Sequence, residues 1–249
     1  MSRGSAAFFS HESAPEPCRG QRGSTYWYLR RKAHGRMKRQ VQYMKIAVFS
    51  DVHGNLKALK TVLKQIEEKS PDLSVFLGDV FQRGTEETEC LDLLKDTGIV
   101  CLKGNCELYV QHGVDIDPDV EYLRGYYDGI RSKLTDGQMQ FIRQMPLYYE
   151  KECCGHRIRF SHFLFGDMDS PYPFLQLSSL KNGVFDQACQ SEDIKKYDLV
   201  VIGHCHQNFV KGNVVSVSAT GLEGASYLLI EADQNAVSFQ YFNIQQAGA

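Results

Sequence analysis

The sequence predicts an α/β fold in which two sheets form a sandwich flanked by helices. In the first half of the chain, short continuous apolar runs alternate with amphipathic segments, which is typical of a parallel sheet covered on both faces. In the second half, strand-like runs come in pairs joined by turn residues, which indicates hairpins. A two-sheet sandwich accounts for both patterns, and the 249 residues show no repeat and no second core.

The first half supplies three strands, and helices lie between and after them. The strands are predicted at 44–50 (MKIAVFS), 73–77 (LSVFL) and 99–102, and the helices at 55–70, 86–96 and within 107–145. The helix at 55–70 is predicted from apolar residues on one face, with lysines opposite: Leu56, Leu59, Val62, Leu63 and Ile66.

The second half supplies two hairpins and another buried strand. The run LYYEKECCGHRIRFSHF predicts a hairpin that turns near Gly155. A helical stretch at 175–194 precedes the buried strand in DLVVIG, and the final hairpin turns at 233–235. These elements complete one domain at 44–249.

Residues 1–43 differ from the rest of the chain. They are rich in Arg, Gly, Ser and Pro and have no sustained period, which predicts a disordered extension. Translation starting at Met44 is an alternative explanation, because ordered sequence begins there abruptly. An Arg-rich, acid-poor segment is also a feature of organelle targeting, which we rank below the other two.

Composition indicates an ordinary globular protein, with 43% hydrophobic and 23% charged residues. Residues 1–43 carry nine Lys and Arg and two Asp and Glu, so 19 basic and 28 acidic residues remain and give 44–249 a charge of −9. An acidic body argues against a nucleic-acid scaffold as partner and suits cation binding.

No apolar run approaches membrane-spanning length, so no membrane partner is expected. The oligomeric state is left open, with a homodimer as one option.

The eight cysteines include no Cys-x-x-Cys motif, and no signal peptide precedes them. Reduced thiols in a cytoplasmic protein are therefore the expectation.

Polar residues gather where the predicted strands stop. Five fragments share this context, namely SDVHGN, GDVFQRG, GNCE, SH and GHCH, and ligands in α/β proteins collect beyond the carboxyl ends of strands. Each fragment alone is a weak signal, but together they predict seven converging donors: Asp51, His53, Asp79, Asn105, His162, His204 and His206.

Carboxylate, amide and imidazole donors suit transition metals better than calcium. Two such ions about 3.5–4 Å apart can share a bridging carboxylate, and Asp79, central in chain order, is the candidate bridge. We expect manganese first, with zinc, iron, cobalt or nickel as alternatives. Two ions of this kind lower the pKa of bound water toward about 7 and hold a phosphoryl oxygen, so the pattern points to a hydrolase.

The five fragments, in this order, resemble those of the calcineurin-like metallophosphoesterase superfamily, and most of all its small single-domain bacterial and archaeal phosphodiesterases. The resemblance covers about Met44 to the end and implies an αββα sandwich with a dinuclear metal centre. It implies that a hydroxide activated by two metals hydrolyses a phosphodiester bond in a small phosphate-ester substrate. By motif, one metal would be bound by Asp51, His53, Asp79 and His206, and the other by Asp79, Asn105, His162 and His204.

Two further positions carry open alternatives. Many relatives have a histidine that protonates the leaving group where this chain has Cys106, and a thiol is a poorer general acid. Cys106 is therefore either a catalytic residue beside Asp79 and Asn105 or a packed thiol, and packing is the favoured alternative. Arg83 in GDVFQRG is either a phosphate contact, for which a planar guanidinium is suited, or an exposed loop residue.

Other functions remain in competition with a phosphodiesterase. A phosphomonoesterase or phosphoprotein phosphatase would use the same centre. The retromer scaffold subunit is similar in fold and acts as an interaction protein, but that function predicts eroded ligands, whereas here every expected position is filled. Specificity is expected in 107–145 and the loop FGDMDSPYPFLQ, where Tyr126, Tyr127, Tyr172 and Phe174 either line a pocket or pack.

Overall fold

The computed structural model describes residues 18–19, 25–30, 43–164 and 183–244. The strands are β1 Cys18–Arg19, β2 Thr25–Arg30, β3 Met44–Phe49, β4 Leu73–Phe76, β5 Val100–Cys101, β6 Tyr148–Cys153, β7 His156–Ser161, β8 Leu199–Ile202, β9 Phe209–Lys211, β10 Val214–Ser216, β11 Ser226–Ala232 and β12 Ala236–Asn243. The α-helices are α1 Leu56–Lys69, α2 Glu87–Asp96, α3 Asn105–His112, α4 Arg124–Lys133, α5 Asp136–Gln144, α6 Val184–Cys189 and α7 Glu192–Lys195. Short 3₁₀ segments at Val114–Ile116 and Pro118–Leu123 join α3 to α4.

The described strands form two sheets. The large sheet has the order β1-β2-β12-β11-β3-β4-β5, and the small sheet has the order β6-β7-β8-β10-β9. The strand β3 pairs in parallel with β4, and β4 with β5, while β11 and β12 add antiparallel strands on the other side. In the small sheet, β7, β8 and β10 are parallel neighbours. Parallel strands therefore end at a common edge in each sheet.

Three buried clusters define an αββα sandwich. Side chains alternate along β3, so that Ile46 and Val48 face the small sheet while Ala47 and Phe49 face the helices. The cluster between the sheets contains Val75, Leu77, Ile158, Phe160, Val201 and Ile230. The large sheet packs against α1–α5, and the small sheet packs against α6 and α7. The predicted fold class is confirmed, because both faces of each parallel region are covered.

The segment 1–43 contains two strands where the composition predicts disorder. The strand β2 pairs with β12 in antiparallel register, from Arg30 opposite Ala236 to Tyr26 opposite Gln240. Its sequence TYWYLR is rich in aromatic residues, which suit a pleated surface, and the free side of β12 supplies the partner. The domain boundary at Met44 stays a prediction.

Several predicted elements are confirmed in place. The helix predicted at 55–70 is α1, and Asn55 caps it with a side-chain oxygen that accepts a hydrogen bond from Ala58 N at 3.0 Å. The hairpin near Gly155 joins β6 to β7, and the final hairpin joins β11 to β12. The loop 165–176, with Tyr172 and Phe174, lies outside the described residues. Among the helices that the structure describes, none combines the length and apolar character that crossing a bilayer requires.

Candidate metal centre

The seven candidate ligands all follow strand ends on one edge of the sandwich. Asp51 and His53 follow β3, Asp79 follows β4, and Asn105 opens α3 just after β5. In the small sheet, His162 follows β7, while His204 and His206 follow β8. Within each sheet the loops are joined by backbone hydrogen bonds: Asp51 N donates to Gly78 O at 2.9 Å, and Gly203 N donates to His162 O at 3.2 Å. Between the sheets, His204 N donates a hydrogen bond to Asp51 Oδ2 at 3.1 Å. Both sheets therefore deliver side chains to one place.

The first group of donors consists of Asp51, His53 and His206, whose ligand atoms lie within 4.8 Å of one another. His206 Nε2 is 3.1 Å from Asp51 Oδ1 and 3.1 Å from His53 Nε2. Asp51 and His53 are buried, whereas the His206 side chain is 20% exposed, so the group opens to solvent on the His206 side.

The second group consists of Asp79, His162 and His204, again within 4.8 Å. His162 Nε2 lies 3.4 Å from Asp79 Oδ2. Asp79 also forms a group with His53 and Cys106, so its carboxylate is within reach of donors from both groups. This position between the groups is the one that a bridging ligand requires.

Backbone contacts fix both carboxylates. Asp79 Oδ1 accepts a hydrogen bond from Cys106 N at 2.9 Å, and Asp51 Oδ2 accepts one from His204 N at 3.1 Å. A Cβ at Gly104 would lie 2.1 Å from Asp79 Oδ1, and a Cβ at Gly203 would lie 2.9 Å from Asp51 Oδ2. These two glycines permit the close approach of ligand and backbone.

Backbone carbonyls set the tautomer of two histidines. His53 Nδ1 lies 2.8 Å from Phe81 O, and His162 Nδ1 lies 3.1 Å from Leu77 O. Nδ1–H is the donor in each pair, so Nε2 is the nitrogen that faces the carboxylates and would bind a metal ion in place of a proton. This arrangement is typical of metal-binding histidines.

Five of the candidate ligands adopt a left-handed backbone conformation, with positive φ at Asp51 (56°), His53 (48°), Asp79 (66°), His204 (61°) and His206 (53°). Such conformations cost about 1–3 kcal/mol each in non-glycine residues and persist only where the surrounding structure imposes them. Because five strained residues occur together, the fold holds these side chains in position at the expense of local backbone stability.

The site carries a strong negative field. Burial would raise the pKa of Asp79, but the attraction of His162 outweighs it and holds the pKa well below its usual range. Burial would lower the pKa of His162, but the charges of Asp79 and Asp51 raise it to about 9. Burial, followed by repulsion from His162, lowers the pKa of His204 to about 4. Neutral His204 is a ready ligand, and the field that retains a proton on His162 also attracts cations.

The donor set fits two divalent transition metals. Asn105 Oδ1 and His204 Nδ1 are buried and have no hydrogen-bond partner in the described part of the chain. Buried polar atoms without partners are costly, and a metal ion would satisfy them. Oxygen and imidazole nitrogen donors are the combination that suits manganese, iron, cobalt, nickel or zinc.

Glu107 is a site residue that the sequence patterns do not assign. Its carboxylate is fully buried and accepts three backbone hydrogen bonds, from Asp79 N at 2.9 Å, Val80 N at 2.8 Å and Gly104 N at 2.7 Å. Burial, followed by repulsion from Asp79, raises its pKa to about 7. The only signal in the sequence is an acidic residue in the first turn of a helix, which is a common cap.

Cys106 lies beneath the site and not in an open position. It has no exposed surface, and its Sγ accepts a hydrogen bond from Tyr127 OH at 3.3 Å. Burial raises the pKa of the thiol well above its usual range. These contacts favour packing for Cys106 over leaving-group protonation.

Arg83 is exposed on the loop after Asp79, next to Gln82, and both residues have a φ of 74°. Tyr127 is buried in the helical core, whereas Tyr126 OH accepts a hydrogen bond from Gln82 N at 2.6 Å. A phosphate contact by Arg83 stays a prediction.

Comparison with known proteins assigns the family. The profile of the calcineurin-like phosphoesterases matches residues 44–208, about two thirds of the chain. This chain belongs to that family. The match spans all of the candidate ligands, and membership establishes a metal-dependent phosphoesterase that uses divalent ions, for which the groups above are candidate ligands.

The chain is also similar to individual proteins. An uncharacterised protein of Methanocaldococcus jannaschii is 27% identical over 174 residues, which cover 68% of this chain and 67% of that protein. The crystal structure of a metallophosphoesterase from Sphaerobacter thermophilus has a TM-score of 0.55 at 19% identity and covers 82% of this chain and 88% of its own. A hypothetical protein from Pyrococcus horikoshii OT3 has a TM-score of 0.56 at 17% identity, with coverages of 75% and 82%. At these identities the structural likeness shows the fold.

Proposed function

We propose that this family member hydrolyses a phosphodiester bond at a two-metal centre. The observation that supports this most is the position of Asp79, which lies within 4.8 Å of donors from both groups. A carboxylate shared in this way is a feature of two-metal phosphoesterase sites. The fold assembles the candidate ligands from five separate loops, which follow β3, β4, β5, β7 and β8.

The ligands divide between two ions in the proposal. Asp51, His53 and His206 would hold the first ion with Asp79, and Asn105, His162 and His204 would hold the second with Asp79. When bound, divalent cations lower the pKa of the water they hold and neutralise negative charge on the phosphoryl group.

The protein's own groups orient this centre. The carbonyls of Phe81 and Leu77 hold the His53 and His162 rings, and Cys106 N holds the Asp79 carboxylate. Exposed Arg83 would bind a phosphoryl oxygen of the substrate. Manganese is the proposed ion.

The substrate class is tested by comparing a bis-aryl phosphate with the matching aryl monophosphate. With each of Mn²⁺, Zn²⁺, Co²⁺ and Ni²⁺ added in turn, we expect kcat/KM for the diester to exceed that for the monoester by about tenfold or more, equivalent to about 1.4 kcal/mol of transition-state discrimination. A preference for the monoester would instead support the phosphomonoesterase or phosphoprotein phosphatase alternative.

Cys106 provides a separate prediction, on leaving-group protonation. Because its thiol is buried under Tyr127, Cys106→Ala should reduce kcat for aryl diesters by less than about tenfold, below the range expected for loss of a general acid. Both proteins should show a steep dependence of kcat on leaving-group pKa across a series of aryl diesters. A flat dependence in the wild type that becomes steep in the variant would show that Cys106 donates the proton.

The alternative to an enzyme is a non-catalytic interaction protein similar to the retromer scaffold subunit. All seven donors are present, six of them lie in the two groups, and the buried Asn105 Oδ1 lacks a hydrogen-bond partner in the described part of the chain, which favours catalysis. An absence of turnover with every tested metal and substrate, together with fewer than two bound ions, would favour the interaction protein.

A further inference from the structure

The loop after Asp79 has an unusual backbone. Gln82 and Arg83 are consecutive non-glycine residues, each with a φ of 74°, in a region that side chains with a Cβ rarely occupy. Strained conformations of this kind persist only where neighbouring groups impose them, and they cluster at functional sites. The loop therefore needs a restraint from outside its own sequence.

Tyr126 supplies that restraint from α4. Its hydroxyl accepts a hydrogen bond from Gln82 N at 2.6 Å and donates one to Glu87 Oε1 at 2.8 Å. Glu87 is itself buried, at 7% exposure, in the first turn of α2. The hydroxyl thus connects the strained loop to two helices.

The other side of the loop is held by the metal-ligand region. Phe81 O accepts the His53 Nδ1 hydrogen, and a Cβ at Gly84 would lie 2.4 Å from His53 O and Gly54 O. The Gln82 side chain faces the site, because its Oε1 lies 4.0 Å from Cys106 Sγ. Gln82 therefore lies between the Tyr126 hydroxyl and Cys106, whose Sγ forms a group with Asp79 and His53, and exposed Arg83 follows it directly in the chain.

We propose that Tyr126 is a positioning residue that holds the Gln82–Arg83 loop in place to bind a phosphoryl oxygen of the substrate. This role rests on the proposed phosphoesterase function and adds to it. Its neighbour Tyr127 is 1% exposed in the helical core and donates its hydrogen bond to Cys106 Sγ, so Tyr126 is the tyrosine of this pair that contacts the loop. The Arg83 guanidinium supplies the charge that pairs with phosphate.

The test is the variant Tyr126→Phe, which removes one oxygen and keeps the ring that contacts Tyr127 at a centroid distance of 5.0 Å. We expect KM for the aryl diester and the inhibition constant of inorganic phosphate to rise about fivefold, as for the loss of one hydrogen bond. The value of kcat should change by less than about twofold, because the effect is on binding. Tyr122→Phe is the control, because Tyr122 is 81% exposed and should leave all constants unchanged.

A double-mutant cycle separates positioning from general destabilisation. If Tyr126 acts through Arg83, Tyr126→Phe should have little further effect on phosphate binding in an Arg83→Ala background, and the two effects should not add. Additive effects, or an unchanged KM and phosphate affinity in Tyr126→Phe, would overturn the proposal. Phosphate binding to the metal-loaded protein is measured by calorimetry, independently of turnover.

The two proposals fail in different ways. A wild type that neither hydrolyses esters nor binds inorganic phosphate would contradict the proposed function, and the positioning role with it. If the wild type is active and Tyr126→Phe leaves KM and phosphate affinity unchanged, only the positioning role is overturned.

Discussion

Asp79→Asn is expected to abolish hydrolysis of the aryl diester and to reduce the number of tightly bound metal ions. Asp79 is the carboxylate within reach of both groups of donors, so its replacement by an amide removes negative charge from both. Removing a residue that only donates or accepts a hydrogen bond to a metal ligand costs about 10–100-fold in metal affinity or activity. Loss of a ligand that both ions share should therefore lower kcat by at least about 100-fold.

The measurement is kcat with the aryl diester at saturating Mn²⁺, together with the metal content after dialysis. Asp96→Asn is the matched control, because Asp96 is exposed at the end of α2 and its replacement removes the same charge outside the groups of candidate ligands. Folding is checked by the thermal unfolding midpoint without added metal. If Asp79→Asn retains more than about a tenth of the wild-type kcat, Asp79 cannot be the essential bridge.

Glu107→Gln is expected both to weaken metal binding and to lower the free energy of unfolding. The Glu107 Oε1 atom accepts a hydrogen bond from Val80 N, while Oε2 accepts from Asp79 N and Gly104 N. A glutamine has one acceptor atom and one donor group, so at least one buried N–H would face another N–H. Each unsatisfied buried donor costs about 1–3 kcal/mol, and we expect a loss in this range in the free energy of unfolding.

The effect on metal affinity follows from the same contacts. Asp79 N and Gly104 N belong to the two loops that carry Asp79 and Asn105, and Glu107 joins them. Displacement of these loops should weaken Mn²⁺ binding by about 10–100-fold, measured by calorimetry on folded protein. The control is Glu68→Gln on the exposed face of α1, which makes the same chemical change without buried partners. Wild-type affinity in Glu107→Gln would show that the carboxylate does not fix the ligand loops.

The candidate ligands could be predicted because the residues around them indicate where each strand ends. Asp51 and Asp79 each follow a continuous apolar run, and such runs form parallel strands whose carboxyl ends share an edge. His204 and His206 follow the same kind of run in the small sheet. The periodicity of single strands and a rule of topology were therefore enough to bring together residues that are up to 155 positions apart in sequence.

The role of Glu107 could not be predicted in this way. It depends on the approach of Gly104 to Asp79, where a Cβ on the glycine would lie 2.1 Å from the carboxylate oxygen. No pattern within one strand or helix encodes a contact between two loops. The sequence leaves the alternatives for Cys106 open for the same reason, since its burial depends on Tyr127 from α4.

The short strands were also beyond the reach of sequence periodicity. The strands β9 and β10 have three residues each, too few to show alternation, and only the intervening Gly212–Asn213 turn marks their hairpin. The strand β2 lies in a segment whose composition predicts disorder, and its register depends on β12, more than 200 residues later.

The number of metal ions per chain tests the central claim most directly. The wild-type protein is loaded with excess Mn²⁺, dialysed, and analysed by elemental mass spectrometry against protein concentration. The two groups of donors, which share Asp79 between them, predict two ions per chain. A protein that is folded, retains all seven residues and binds one ion or none would contradict the two-metal account.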